Sequence, residues 1–324
     1  MALRMGVVGT GVHGMHHVRV LSRMDGVQFA GVHDSDRSIC EKVASEFGIP
    51  GYQDLSELLG NVDCVSVAVP TSAHYEVVGR CLDAGRHVLV EKPIAATVAE
   101  ADALIARAES RGLVFGVGHI ERFNAAYRSV DGNGTSPAFI ESHRLAVFNP
   151  RGTDVAVVLD LMIHDIDIVL DLVKSPVAKV SAVGVPVVSD AVDIANARLE
   201  FENGCVANLT ASRVSERKLR KVRLFQKNGY ISMDFATGET EIFTIEPGAR
   251  PGASPGATPQ LMEGVSYRKC LNDCANALEL ELRDFLGAVE TGSSPRVSAK
   301  AGRDALAVAS RVMESMEVNA RRLS

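Results

Sequence analysis

A glycine-rich loop near the amino terminus constrains this chain more than any other feature. The apolar run from Met5 to Val8 leads into Gly9-Thr10-Gly11-Val12-His13-Gly14, and a helix-forming segment follows. A second apolar run, Val27 to Val32, ends close to Asp34, which stands twenty residues after Gly14. Strand, glycine loop, helix, strand and acidic residue in this order are the fingerprint of a dinucleotide-binding βαβ unit, whereas a glycine-rich turn without this context would be ordinary.

The chemistry of this fingerprint gives its residues separate roles. Gly9 permits a tight turn, Gly11 lets the backbone approach a pyrophosphate, and Gly14 lets helix and strand pack closely. The amides at the helix start would bind phosphate. Asp34 would accept hydrogen bonds from the ribose hydroxyls and repel a 2′-phosphate, which predicts NAD as the cofactor in preference to NADP. The cofactor-binding candidates here are Gly9, Thr10, Gly11, Val12, His13, Gly14, Asp34 and Ser35.

Histidines and cysteines could indicate a metal site, and the pattern argues against one. His13, His16 and His17 crowd the start of one helix, but no carboxylate or thiolate there completes a ligand set. We therefore predict surface or cofactor-side histidines and no metal. The six cysteines are scattered, which predicts reduced, packed thiols and neither a disulfide nor a zinc framework.

Charge and hydropathy exclude several classes of partner. The chain has 324 residues, a net charge of −6 and no block of lysine or arginine. Nucleic acid and anionic membranes are therefore not expected as partners. Met1 to Gly11 lacks the apolar core of a signal peptide, and no apolar run is long enough to span a bilayer. These features predict a soluble cytoplasmic enzyme.

Residues 1–120 alternate between apolar runs and helical patterns, which predicts a doubly wound α/β sheet. Thr97-Val98-Ala99-Glu100 is a capping box that opens an alanine-rich helix, and Asp54 with Glu57 marks a shorter one. We expect this part to be an NAD-binding Rossmann domain. Its predicted parallel strands are Met5 to Val8, Val27 to Val32, Cys64 to Val69, His87 to Val90 and Leu113 to Val117.

Residues 121–324 follow a different pattern, which predicts an α+β domain with an antiparallel sheet. A long helix, Thr153 to Val173, precedes the strands, and Pro247 to Pro259 is predicted to be an exposed loop. Two helices, Leu271 to Thr291 and Ser298 to Asn319, close the chain. The predicted strands are Ala178 to Ser189, Ile194 to Phe201, Cys205 to Arg213, Lys218 to Gln226, Tyr230 to Phe235 and Glu239 to Ile245.

The predicted helix from Thr153 to Val173 carries a narrow polar stripe. At about 100° per residue, Asp160, His164, Asp167 and Asp171 fall within roughly 60°, and apolar side chains cover most of the remaining surface. This pattern favours a buried helix that turns its polar edge toward a cleft. A thin solvent-facing stripe with a satisfied histidine is the alternative.

Polar residues also follow two of the predicted strands of the first domain. Glu91-Lys92-Pro93 comes after His87 to Val90, and Val69-Pro70-Thr71 ends the preceding strand, with His74 close behind. Ligands of open parallel sheets lie at the carboxyl ends of the strands. Pro93 restricts Lys92 to an extended backbone, which would hold its side chain in one direction.

Three ordered motifs resemble the glucose-fructose oxidoreductase, inositol dehydrogenase and rhizopine-catabolism (Gfo/Idh/MocA) family. They are the glycine loop, Glu91-Lys92-Pro93, and Asp160-x-x-x-His164-Asp165-x-Asp167. The resemblance covers nearly the whole chain. It implies a Rossmann domain, a second domain whose large open antiparallel sheet forms a homodimer or homotetramer, and an NAD-dependent oxidation of a sugar hydroxyl.

Two sequence segments are most similar to those of family members that oxidise C3 of UDP-N-acetylglucosamine to a 3-keto sugar nucleotide. They are Gly118-His119-Ile120-Glu121-Arg122-Phe123-Asn124 and Asn149-Pro150-Arg151-Gly152-Thr153-Asp154-Val155. The likeness implies a sugar-nucleotide substrate and a downstream aminotransferase as partner. An inositol or free-sugar dehydrogenase of the same family, and a dinucleotide-sensing regulator that is not an enzyme, are the alternatives.

The resemblance implies that Lys92, Asp160 and His164 are catalytic. His164 is the favoured base because an imidazole titrates near neutral pH, Lys92 would stabilise the alkoxide, and Asp160 would orient the substrate or the lysine. The sequence leaves open whether Lys92 or His164 takes the proton, and whether the arginines bind ligand or form surface salt bridges. Further cofactor candidates are Pro70, Thr71, His74, Glu91, Lys92 and Arg122, and the substrate candidates are Lys92, Glu121, Arg144, Arg151, Asp160 and His164.

Overall fold

The computed structural model describes residues 2–130, 134–148, 155–246 and 264–323, which divide into two compact units. The first unit comprises Met1–Ile120 and Asn276–Leu306, and the second comprises Glu121–Ala275 and Ala307–Ser324. The sequence-based division into residues 1–120 and 121–324 differs in one respect, because residues 276–306 join the first unit. Leu282 and Phe285 are buried in the same hydrophobic cluster as Val7, which explains this placement.

The first unit contains a parallel sheet whose strands lie in the order β3-β2-β1-β4-β5-β6. This is the strand order of a Rossmann fold, and it places the glycine loop and the end of β5 at the carboxyl edge of the sheet. The five predicted strands are present, and the short strand β3 is an addition. The strands are β1 (Leu3–Val8), β2 (Val27–His33), β3 (Gly51–Tyr52), β4 (Cys64–Val67), β5 (His87–Glu91) and β6 (Phe115–Gly118).

The second unit contains a large sheet with the order β14-β13-β12-β11-β7-β10-β9-β8. Its pairs are antiparallel except for β10 with β7, which are parallel. The predicted strands are present, and β7 and β14 are two strands that the sequence pattern does not predict. The strands are β7 (Pro137–Leu145), β8 (Val177–Val185), β9 (Ile194–Phe201), β10 (Val206–Ser212), β11 (Leu219–Gln226), β12 (Gly229–Asp234), β13 (Glu239–Ile245) and β14 (Val265–Cys270).

Local signals set the helix boundaries. The capping box at Thr97 is present, and the Asp54 side chain caps the next predicted helix by accepting from the Ser56 amide. The helices are α1 (Val12–Leu21), α2 (Arg37–Phe47), α3 (Leu55–Asn61), α4 (Thr71–Asp83), α5 (Val98–Glu109), α6 (Ala125–Arg128), α7 (Ile163–Val173), α8 (Ala277–Thr291) and α9 (Ala299–Leu323).

Two predicted helix starts were wrong. The helix expected from Leu271 begins at Ala277, because Asn276 accepts hydrogen bonds from two amides of its first turn and acts as the N-cap. The helix expected from Thr153 begins with a π-helical turn, Val158–Met162, which continues into α7. Thr153 itself lies outside the described residues, as do Arg151 and the predicted loop Pro247 to Pro259.

None of the helices in the described part of the chain combines the length and apolar character needed to cross a membrane.

Candidate active site

The glycine loop between β1 and α1 has the geometry that the sequence predicts. Gly9 has a φ of +85°, a region that side chains disfavour, and a Cβ on Gly14 would lie 1.9 Å from the Gly9 carbonyl oxygen. A Cβ on Gly11 would meet nothing within 4 Å, so its backbone borders open space. Val12 and His13 are exposed beside this space. The loop is therefore both tight and accessible, as binding of a pyrophosphate requires.

Asp34, just beyond β2, is held over the start of this loop. Its Oδ2 accepts hydrogen bonds from the Thr10 amide at 2.7 Å and from Thr10 Oγ1 at 2.9 Å. Its Oδ1 accepts from the Asp36 amide at 2.9 Å. Asp34 is half-buried, and its neighbour Ser35 is exposed. These contacts fix the carboxylate beside the glycine loop, where an adenosine ribose would present its hydroxyls.

His74 lies on α4, whose first residues are Pro70 as N-cap and Thr71. Its side chain is buried, with Nδ1 2.8 Å from the Pro93 carbonyl oxygen and Nε2 3.0 Å from the Val69 carbonyl oxygen. Burial lowers the pKa of His74, although both carbonyls oppose the shift. Each ring nitrogen thus faces a backbone carbonyl that follows the end of β4 or β5, and the neutral ring donates to one of them. His74 therefore contacts the loops that border the predicted cofactor site.

His17 is buried, which corrects the expectation that the histidines of α1 all lie at the surface or beside the cofactor. Its Nε2 lies 2.9 Å from Glu91 Oε1, and its Nδ1 lies 2.9 Å from Ser66 Oγ. Burial raises the pKa of Glu91, but the contact with His17 and the nearby charges of His13 and Lys92 together lower it by more, so the net pKa of the carboxyl falls. His13 and His16 are exposed.

Lys92 directly follows β5 and is half-buried at the carboxyl edge of the parallel sheet. The peptide bond between Lys92 and Pro93 is cis. The structure thus places Lys92 at the same sheet edge as the glycine loop and the start of α4, as the sequence predicts.

The polar stripe on the long helix of the second unit is divided in two. Asp160 lies in the π-helical turn and His164 in the first turn of α7, and both are half-buried. Asp167 and Asp171, farther along, are occupied by Arg122: its Nε lies 2.6 Å from Asp167 Oδ2 and its Nη1 lies 2.7 Å from Asp171 Oδ1. Asp167 and Asp171 are therefore held by Arg122, and a polar edge turned toward a cleft stays a prediction for Asp160 and His164. Such π turns occur frequently at functional sites.

Glu121, Arg122 and Arg144 are buried, so neither arginine is the surface salt bridge that the sequence left as an alternative. Arg144 forms a bidentate pair with Asp165, at 3.0 and 2.9 Å, and its Nη1 lies 2.7 Å from Glu121 Oε1. Burial alone would lower the pKa of Arg144, but Asp165 and Glu121 raise it above the usual arginine value. Burial raises the pKa of Asp165 despite this partner. No local sequence pattern identifies this structural role of Asp165.

Together, the glycine loop, the ribose-side carboxylate and the Rossmann strand order define a dinucleotide-dependent oxidoreductase. The chain belongs to the Gfo/Idh/MocA family of oxidoreductases. The family's NAD-binding Rossmann profile matches residues 3–119 and its C-terminal domain profile matches residues 117–232. The family assignment and NAD as the cofactor, both predicted from the sequence, are confirmed.

Full-length relatives are found among characterised proteins. The chain is 37% identical over 323 residues to a UDP-N-acetylglucosamine 3-dehydrogenase of Acidithiobacillus ferrooxidans, covering 97% of each chain. A solved structure of that enzyme matches with a TM-score of 0.91 at 36% identity, covering 98% of both chains. A myo-inositol 2-dehydrogenase of Thermotoga maritima is 26% identical, covering 97% of this chain and 96% of the relative.

Proposed function

We propose that this protein is an NAD-dependent dehydrogenase that oxidises the C3 hydroxyl of UDP-N-acetylglucosamine to a 3-keto sugar nucleotide. The observation that supports this most is the 37% identity to an enzyme of that name across 97% of both chains. The identity to the myo-inositol 2-dehydrogenase is lower, at 26%. An inositol or free sugar is accordingly the second candidate substrate.

The residues of the nucleotide site fit NAD. The Gly11 backbone borders open space for the pyrophosphate, and the Asp34 carboxylate is fixed for the ribose hydroxyls. Bound NAD would accept the hydride that leaves the alcohol carbon. We assign Pro70, Thr71 and Glu91 to the border of the same site, because they lie at or just after the carboxyl ends of β4 and β5.

Oxidation of a secondary alcohol also requires a group that takes the hydroxyl proton. We assign this step to His164, because an imidazole titrates near neutral pH. Lys92 stabilises the negative charge that develops on the oxygen, and Asp160, close to His164 along the helix, orients the substrate. The π-helical turn supports this assignment, because Asp160 and His164 lie within and directly after it.

The arginines are assigned differently from the sequence expectation. Arg122 and Arg144 are each paired with buried carboxylates, so we propose that they hold α7 and β7 in place and do not bind the diphosphate directly. Glu121 acts with Arg144. Arg151 lies outside the described residues and stays our candidate for the substrate diphosphate.

We further propose a homodimer or homotetramer formed through the large sheet. Phe139, Phe225, Tyr230, Phe243 and Tyr267 form a row across β7, β11, β12, β13 and β14, with successive ring centroids 4.8–5.6 Å apart. These rings are half-exposed, whereas side chains of the opposite face, such as Ile140, Leu224 and Ile231, are buried. An apolar row on an otherwise polar face favours contact with a second copy.

The product suggests the next reaction. A 3-keto sugar nucleotide carries a carbonyl that an aminotransferase could convert to an amine, so we propose such an enzyme as the downstream partner. All six cysteines, which lie in the described part of the chain, are free thiols. Free thiols support our proposal that the protein is located in the reducing cytoplasm.

The catalytic assignment is tested by Lys92→Ala and His164→Ala. Each should lower turnover of UDP-N-acetylglucosamine by about 10²-fold or more, since each removes a positioned acid–base or electrostatic group. NAD affinity, measured by titration, should change much less. The exposed Lys42→Ala on α2 is the matched control. Near-normal turnover in both variants would place the chemistry elsewhere, and loss of NAD binding would make these residues structural.

A pH–rate profile separates the two candidate proton acceptors. If His164 takes the proton, the acidic limb of the profile disappears in His164→Ala; if it persists there and disappears in Lys92→Ala, the lysine is the acceptor. NADH formation across UDP-sugars, inositols and free hexoses identifies the substrate. If the protein binds NAD but oxidises none of these compounds, the result would favour a dinucleotide-sensing regulator that is not an enzyme.

A further inference from the structure

Two buried histidines contact the residues on either side of Lys92. His17 is located on α1 and His74 on α4, and both belong to the first unit. His17 contacts the side chain of Glu91, the residue before Lys92, whereas His74 contacts the carbonyl of Pro93, the residue after it. The two neighbours of Lys92 along the chain are therefore each tied to a different helix.

His17 connects three elements of the parallel sheet layer. It projects from the helix that follows the glycine loop, meets Ser66 in β4, and reaches Glu91 at the end of β5. Since β4 and β5 are neighbours in the sheet, this ring bridges the two strands. A carboxylate can only accept, so His17 Nε2 donates to Glu91. This contact ties the position of Glu91 to the helix that carries the nucleotide loop.

His74 makes the corresponding contact on the other side. Its Nδ1 is 2.8 Å from the Pro93 carbonyl and its Nε2 is 3.0 Å from the Val69 carbonyl. Backbone carbonyls can only accept, so a neutral ring donates to one of them at a time. The contact with Pro93 is the shorter of the two, and it ties the far side of Lys92 to the start of α4.

We propose that His17 and His74 are positioning residues that together fix the direction of the Lys92 side chain. This inference rests on the proposed role of Lys92 at the substrate hydroxyl. Lysine has a long, flexible side chain, so the location of its ammonium depends on how well its backbone is held. A misplacement of about 1 Å of a catalytic group can cost on the order of 10²-fold in rate. Neither histidine itself needs to touch the reacting atoms.

Asparagine and glutamine substitutions separate the two contacts of each ring. The asparagine amide stands near the Nδ1 position of histidine and the glutamine amide near the Nε2 position. His17→Gln therefore keeps the contact with Glu91, and His17→Asn loses it. At His74 the order reverses, because His74→Asn keeps the contact with Pro93 and His74→Gln keeps only that with Val69.

We expect turnover to follow the retained contact. His17→Asn and His74→Gln should lower kcat by about 10-fold or more, while His17→Gln and His74→Asn should each retain clearly more activity than the other variant at the same position. NAD affinity should stay within about threefold throughout, because the glycine loop and Asp34 supply most of it. Lys42→Ala, which changes an exposed residue of α2 outside these contacts, is the control and should retain normal turnover.

The reversal of order is what a merely structural role would not produce. Glutamine is larger than asparagine at both positions, so effects of size or cavity would give the same ranking at His17 and His74. The same ranking at both positions, or equal kcat in all four variants, would overturn the proposal. If the His17 pair fails to fold, as judged by its thermal midpoint, the His74 pair decides by its own ranking, because size alone would favour His74→Gln. If the His74 pair fails to fold, the reactivity of Lys92 described next decides.

A second measurement is independent of the substrate. Native reductive methylation followed by mass spectrometry reports the reactivity of Lys92 directly, with the exposed Lys179 as internal standard. The Lys92:Lys179 rate ratio should change in His17→Asn and His74→Gln, and should stay closer to the unmutated ratio in their counterparts. If UDP-N-acetylglucosamine is not oxidised, the proposed substrate fails while this ratio still tests the positioning. An unchanged Lys92:Lys179 ratio in all four variants would contradict the proposal that the two histidines position Lys92.

Discussion

At the scale of a single residue, we propose that the carboxylate of Asp34 sets the preference for NAD over NADP. Three donors from the backbone and side chain of neighbouring residues fix it in place. Asp34→Ala should weaken NAD binding by about 10-fold and narrow its advantage over NADP, because both the hydrogen bonds and the repulsion of a 2′-phosphate are lost. Titration of both cofactors measures this.

Asp34→Asn separates charge from hydrogen bonding at this position. The amide keeps one acceptor oxygen while it removes the negative charge, so NADP binding should improve more than NAD binding declines. Equal or tighter binding of NADP by the unmutated protein would contradict the assigned role.

The buried arginines show that a local sequence pattern does not reveal charge pairs between distant residues. The glycine loop, Asp34 and Lys92 could be predicted because each lies next to a strand end that a local pattern identifies. Arg122 pairs with Asp167 at a separation of 45 residues, and Arg144 pairs with Asp165 at a separation of 21. No local pattern states that such charges meet, so a paired structural arginine and a ligand-binding arginine look alike. For this reason the sequence left open whether each arginine binds ligand or forms a surface salt bridge, and a buried structural pair was not expected.

At the scale of elements, His87 makes the junction between β5 and β6 sensitive to pH. The Val114 amide donates to His87 Nδ1 at 2.9 Å, which requires an unprotonated nitrogen there. Burial lowers the pKa of His87 in the folded state. The unfolded chain therefore binds this proton more readily, and stability falls as the pH drops below the usual histidine pKa of about 6.5.

His87→Asn tests this linkage. The asparagine oxygen can accept from the same amide without titrating, so the thermal midpoint should fall less between about pH 7 and pH 5 than in the unmutated protein. His74, whose pKa is also lowered by burial, stays intact in this variant and contributes the remaining slope. Parallel midpoint curves for the two proteins would show that His87 does not contribute.

Some strands and helices could be predicted from the sequence more readily than others. The strands of the parallel sheet form nearly continuous apolar runs, because both faces are buried. Strand β7 was missed because its inward positions include Ser142 and Arg144, which interrupt the expected alternation. The π-helical turn could not be foreseen either, since its apolar residues match the pattern of an ordinary helix. The division of the polar stripe was hidden for another reason, because it depends on the pairing of Arg122 with Asp167 and Asp171.

At the scale of the whole molecule, the sequence predicted a parallel-sheet domain and an antiparallel-sheet domain. It did not predict that residues 276–306 belong to the first unit while residues 307–324 belong to the second. An amphipathic helix shows that it buries one face, yet not against which core. Leu278, Leu282, Phe285 and Leu286 of α8 are buried in the cluster that also contains Val18 and Leu21 of α1. The chain thus returns to its nucleotide-binding unit after completing the large sheet.

The aromatic row of the large sheet predicts self-association of the whole protein. If the row is the interface, Phe225→Lys or Tyr230→Lys should shift a dimer or tetramer toward monomer, because each places a charge in the centre of a desolvated apolar contact. Val318→Lys, a change to an exposed valine on α9 and not on the sheet, is the matched control. Light scattering at micromolar concentration measures the mass, and circular dichroism verifies the fold. A monomeric unmutated protein, or row variants that keep the oligomer while remaining folded, would exclude this face as the interface.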